Sequence, residues 1–120
     1  MILGQRKFDL EQRTAKFARS VHDYCLVLPK MIVNYEISRQ LIRSASSIGA
    51  NYVEANEAFS RRDYLMRVKI CRKEAKESQY WLNLTRPSAI NCQEKMKLIA
   101  ESKELTNIFG AIVRKVESEV

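Results

Sequence analysis

Residues Gln40 to Tyr52 read QLIRSASSIGANY, and this stretch constrains the fold more than any other part of the chain. Ile37, Leu41, Ile48, Tyr52, Ala55 and Phe59 recur at helical spacing. At about 100° per residue they form one apolar stripe. A second arc holds only small or aliphatic residues, Ile42, Ser46, Gly49 and Val53. One stripe needs one partner surface. Two stripes, one of them floored by serine and glycine, let other helices approach closely from two directions. The pattern therefore predicts an all-α bundle that also self-associates.

The remaining helices follow from periodicity and punctuation. Asp9 reads as an N-cap for a helix over 9–28, ended by Pro29, with Leu10, Thr14, Phe17, Val21, Tyr24, Cys25 and Leu28 as its stripe. A second helix is expected over 34–60. The break at Ser60-Arg61-Arg62-Asp63 offers Ser60 or Asp63 as a cap. A third helix is expected over 63–86, with Tyr64, Val68, Cys71, Ala75, Ser78 and Leu82 facing the core. Met66, Ile70, Trp81 and Leu84 form a second apolar edge on it. After Pro87, Asn91 with Glu94 reads as a capping box for a fourth helix over 92–117. Gly110 lies inside that helix and costs about 1 kcal/mol relative to alanine, so a packing reason or a kink is expected there. Four helices of similar length with short links predict an antiparallel up-down-up-down four-helix bundle forming one domain over 1–120.

Charge narrows the function. Twenty-one Lys and Arg against fourteen Asp and Glu give a net charge of +7. Between Arg61 and Lys76, seven basic residues stand against two acidic ones, so most of the excess lies there. Arg62, Lys69, Arg72, Lys73 and Lys76 fall on one side of the third helix, a stripe suited to a phosphate backbone. The same stripe also reads as a solvated face of good helix formers. No aromatic residue interleaves with it except Tyr80, so charge rather than base stacking would drive binding.

Several polar residues read as structural. Arg43, Ser47 and Glu54 follow one polar side of the second helix as a hydrogen-bond network, with Asn51 at the edge of the core arc fixing register. Glu77 interrupts the second apolar edge of the third helix, where a carboxylate needs a partner such as an arginine of a neighbouring helix or subunit. Trp81 reads either as an interface anchor or as core.

Enzymatic chemistry finds no foothold. His22 is the one histidine, which removes a di-iron Glu-x-x-His pair and leaves no plausible Ser-His-Asp set. There is no Cys-x-x-Cys and no glycine-rich phosphate loop. No catalytic residue, metal or cofactor is expected. Cys25, Cys71 and Cys92 are an odd, widely spaced set in a chain without a signal peptide, which points to reduced thiols and a cytoplasmic location. No apolar run reaches the length of a membrane span.

With these residues placed, the chain resembles the bacterial 23S rRNA intervening-sequence, or S23, proteins. FDLEQRTAKFA from Phe8, Leu28-Pro29-Lys30, QLIRSASSIGANYVEA from Gln40 and ICRKEAKESQYWLNL from Ile70 carry the resemblance over nearly the whole chain. Ala55 departs from it, since a glycine commonly follows the matching glutamate. The resemblance implies a four-helix bundle assembled as a homopentamer. It also implies kinship with the accessory variability determinant of diversity-generating retroelements, a nucleic-acid- and reverse-transcriptase-binding protein. The function it supports is RNA binding. The alternative is a protein-interaction scaffold, such as an accessory subunit of a reverse-transcriptase-like partner.

Overall fold

The computed structural model describes residues 3–119, with side chains from Lys7 onward. Residues 1–2 and 120 of the expected domain lie outside them. Four α-helices follow one another: α1 (Leu3–Leu26), α2 (Ile32–Asn56), α3 (Arg61–Leu84) and α4 (Cys92–Ser118), with a single 3-10 turn at Ala89–Asn91. They form a bundle of 48 × 25 × 20 Å in which α2 packs mainly on α3 and α3 on α4. α1 packs on α2 and touches α4 only lightly.

The small residues of α2 and α3 decide this order. Ser44, Ala45 and Ile48 of α2 and Cys71, Ala75 and Ser78 of α3 are completely buried. Ser44 and Ser78 join their hydroxyls at 2.9 Å, and the Cys71 thiol donates to the Ile48 carbonyl at 3.3 Å. Burial pushes the Cys71 thiol up to about 12, so it acts as a packing group rather than a nucleophile. Around this seam lie Val21, Leu41, Tyr52, Val68, Leu82, Leu105 and Phe109, with the Tyr52 and Phe109 rings 5.5 Å apart.

Of the two arcs on α2, the stripe through Leu41, Ile48, Tyr52 and Ala55 is the buried one. The middle of the other arc meets α1 of the same chain. A Cβ on Gly49 would lie 2.9 Å from the Thr14 hydroxyl oxygen, and Ser46 sits 3.1 Å from His22 Nε2. Thr14 donates to the Leu10 carbonyl at 2.8 Å, a bond that holds its side chain in place. Ile42 and Val53, at the ends of the arc, stay exposed.

Several expected boundaries and caps are corrected. α1 begins at Leu3, well before Asp9, because residues 3–8 continue the helix; Asp9 is an interior residue. α1 ends at Leu26, where Val27 and Leu28 turn back onto the Tyr24 and Cys25 carbonyls ahead of Pro29. α2 starts at Ile32 without a side-chain cap. Asn34, the expected start, instead sits buried in the first helical turn and joins two links. Its amide donates to the carbonyls of Pro29 (3.0 Å) and Arg86 (2.9 Å), and its Oδ1 accepts from the Arg86 amide at 2.9 Å. α2 stops at Asn56, not 60, so Phe59 leaves the stripe and is wholly exposed. Ser60 does cap α3, accepting from the Asp63 amide at 3.1 Å, and α3 then runs over 61–84 rather than 63–86. Asn91 makes no capping bond to α4, because the 3-10 turn feeds straight into that helix. Its amide turns back to Ser88.

At the far end Thr85 is buried and donates to the Leu82 carbonyl at 2.6 Å. Its oxygen therefore accepts from the Tyr24 hydroxyl at 2.7 Å, tying α1 to the exit of α3.

The contact at Gly49 gives a stability test. Gly49→Ala gains about 1 kcal/mol of helix propensity but overpacks a fixed Thr14, at a cost of about 1–3 kcal/mol. Thermal melting should show Gly49→Ala less stable than the parent, with Thr14→Ala/Gly49→Ala recovering part of the loss relative to Thr14→Ala alone. A stabilised Gly49→Ala contradicts the close approach.

Candidate nucleic-acid interface

The α3 cations do not stand on an isolated stripe. Lys69, Arg72, Lys73 and Lys76 form one wall of a cleft of about 560 Å³ whose other wall is α4, with Thr106, Asn107, Gly110 and Arg114. Gly110 is the floor: a Cβ there would lie 3.4 Å from a terminal nitrogen of Arg114 and 3.7 Å from Cδ of Arg72. Both are ordinary contact distances, so a methyl group fits there and the close packing expected for a glycine within α4 is not what the structure shows. Among the described residues no carboxylate and no aromatic ring lines the cleft.

Among the described residues Lys69 alone of the five cations has an ion pair, to Glu117 at 3.1 Å. Arg72 is half-buried, while Lys69, Lys73, Lys76 and Arg114 are exposed. Thr106 commits its proton to the Ser102 carbonyl at 2.7 Å, whereas Asn107 is exposed and presents its amide. Such a cleft attracts anions by field and direct contact. Arg62, the fifth residue of the expected stripe, is exposed near the start of α3 and is not part of the cleft.

Arg114, Asn107, Thr106 and Gly110 are the half of the cleft that sequence reasoning missed. The one signal was Gly110 itself, with an arginine four residues later on the same helical face.

The α2–α3 seam carries a second charged group. Arg43 donates to Glu77 at 2.8 Å, and Glu77 also accepts from the Trp81 indole at 3.2 Å. Glu77 thus finds its arginine on the neighbouring helix. Asn51 donates to the Ser47 carbonyl and hydroxyl, both at 2.9 Å, and accepts from Arg67 at 2.9 Å. The structure thus joins Ser47 and Asn51, sends Arg43 to α3 and leaves Glu54 exposed outside that group. Of the second apolar edge, Ile70 and Trp81 are half-buried while Met66 and Leu84 are exposed.

Glu74 was hidden by its position among lysines. It is only 6 % exposed, lies 3.8 Å from Arg43 through one oxygen and has no hydrogen bond to the other among the described residues. Burial, and then the charge of Glu77, holds its carboxyl above the ordinary carboxylate range, against the pull of Arg43 and Lys73.

A raised carboxyl means that the folded chain binds this proton more tightly than the unfolded one. Stability is then lost as pH climbs from the usual carboxylate range through the raised value. Glu74→Gln should melt higher than the parent at pH 7.5 and differ little at pH 4. A variant that melts lower at pH 7.5 contradicts this reading.

A second opening, of about 960 Å³, lies at the end of the bundle where α1 turns into α2. Leu26, Met31, Ile32, Tyr35 and Ile42 line it and are all solvent-exposed. Among the described residues no helix is long and apolar enough to cross a membrane.

The whole architecture has solved counterparts. A crystal structure of a protein of unknown function from the S23 ribosomal protein family of Bacteroides thetaiotaomicron superposes with a TM-score of 0.73 at 30% sequence identity. The match covers 86% of this chain and 96% of that one. No curated protein matches the chain significantly. Residues 6–111 match the family described as 23S rRNA-intervening sequence protein. Given a match over most of the chain and a shared four-helix structure, this protein belongs to the 23S rRNA-intervening sequence protein family.

Proposed function

We propose that this protein is a non-enzymatic, homo-oligomeric helical bundle of the cytoplasm that binds RNA through backbone phosphates. The observation that carries the reading is the α3–α4 cleft, where five cations converge without an opposing carboxylate in the lining. Phosphate contacts of this kind give affinity and a steep salt dependence but little sequence preference. RNA is favoured over DNA by the family to which the chain belongs. Three cysteines, none of them in a disulfide, support a reducing compartment.

Assembly would multiply the cleft. Leu26, Ile32 and Tyr35 at the α1–α2 end, and Val53, Met66 and Leu84 elsewhere, are apolar side chains left in water by the single chain. A homo-oligomer, pentameric by resemblance to the family, covers such surface and sets several cationic clefts on one particle. Linked sites raise the apparent affinity for a long polyanion without any new contact.

The apolar opening beside α1 and α2 also favours a second reading, a scaffold that docks a protein such as a polymerase-like partner. Gel retardation with RNA and DNA separates the two. Replacing Arg62, Lys69, Lys73 and Lys76 by glutamine should weaken RNA binding at low salt by at least tenfold, with melting temperature and oligomeric size unchanged. Equal retention of RNA by parent and variant overturns the RNA reading.

A further inference from the structure

Lys69, Arg72, Lys73 and Lys76 span eight residues of α3, seven steps or about 10 Å along a helix that rises 1.5 Å per residue, and Arg114 faces them from α4. One strand of a duplex carries a charge every 3.4 Å or so along the axis, hence about three charges over that length. Five cations exceed this number. Four remain even when Lys69 is assigned wholly to Glu117, its partner at 3.1 Å. A ligand denser in charge than a sugar–phosphate strand matches such a surplus better, since each further phosphate charge in the cleft meets a cation. Directly linked phosphates have that density, since they lack the intervening sugars and the terminal group carries roughly 1.5–2 charges.

The lining fits the same chemistry. With no aromatic ring it has no platform for a base, and with no carboxylate it holds nothing to repel an anion. Gly110 keeps the floor open: a methyl would fit, but a longer side chain there would grow toward the Arg72 and Arg114 arms. Asn107 adds a neutral donor at the rim.

We propose that the α3–α4 cleft is an oligophosphate site. It takes two or three directly linked phosphates, as at the 5′-triphosphate end of an RNA or in free inorganic polyphosphate, in preference to the interior of a strand. The site rests on the cationic cleft of the RNA-binding reading and specifies what fills it.

Calorimetric titration of the full chain with inorganic tripolyphosphate tests the site, with sulfate at matched ionic strength as the reference. Saturable binding of one tripolyphosphate per chain, at least tenfold tighter than sulfate, is expected. Arg72→Gln/Lys76→Gln should lose at least tenfold, and so should Gly110→Glu. The first variant changes exposed or half-exposed side chains, so it stays informative if the second does not fold. Lys16→Gln/Lys97→Gln removes the same charge from the neighbouring α1–α4 cleft and should bind as the parent does. Absence of saturable binding, or equal loss in this control, overturns the site.

Two RNAs of one sequence, bearing a 5′-triphosphate or a 5′-hydroxyl, identify the source. A tenfold preference for the triphosphate assigns the RNA end. Tripolyphosphate binding without that preference assigns free polyphosphate and still supports the site. RNA binding without tripolyphosphate binding overturns the oligophosphate site and leaves the RNA function standing. Tripolyphosphate binding without any RNA binding does the reverse.

Discussion

Small side chains along the α2–α3 seam set the distance on which the rest of the molecule depends. Ser44, Ala45, Cys71, Ala75 and Ser78 let the two helices meet, and inside the contact one serine hydroxyl donates to the other, with the Leu41 and Glu74 carbonyls as the remaining acceptors. Buried polar atoms without partners would cost about 1–3 kcal/mol each, so this satisfaction matters as much as the close fit. With α2 and α3 fixed, α1 finds one site, over Gly49. α4 finds another, across α3, and the α1–α4 side is left lightly joined.

That lopsided order explains where charge collects. The helix that carries most of the basic excess is central in the chain of contacts, so one of its flanks must face α4. Arg72 lies over Gly110 there, and Arg114 follows on the same face of α4. A cationic stripe thereby becomes a walled cleft. The α1–α4 side, in contrast, mixes its charges: Arg13 holds Glu101 at 2.7 Å and also reaches Glu104. On the α2–α3 flank Arg43 is taken up by Glu77, with Glu74 buried beside it. Among the described residues, the α3–α4 cleft gathers five cations with no acid in its lining, and Glu117 beside it pairs with Lys69.

The four helices were legible because Pro29, Ser60 and Pro87 interrupt strong 3.6-residue periodicity. Their limits were harder to read. Asp9, Asn34 and Asn91 all have the chemistry of an N-cap, yet Asp9 lies inside α1, Asn34 bridges two distant links and Asn91 turns back to Ser88. A polar residue near a helix start does not announce which backbone groups it will meet. Phe59 fits the stripe of α2 by spacing alone, and the helix ends before reaching it. The α3 half of the cleft was visible as a stripe. The α4 half was not, since Thr106, Asn107, Gly110 and Arg114 form no pattern until α4 lies against α3. Glu74 stayed invisible for a related reason: its burial comes from the α2–α3 packing, not from its neighbours in sequence.

If the clustered cations act as one phosphate site, binding must release counterions in proportion to the phosphates neutralised. The most direct measurement is the affinity for single-stranded RNA as a function of salt, in the parent and in Arg72→Gln/Lys76→Gln. On a plot of log affinity against log salt, each lost contact with a single strand lowers the slope by about 0.7, so the double variant should fall by about 1.4. A weaker affinity with an unchanged slope would mean that these side chains touch no phosphate, and would contradict the account.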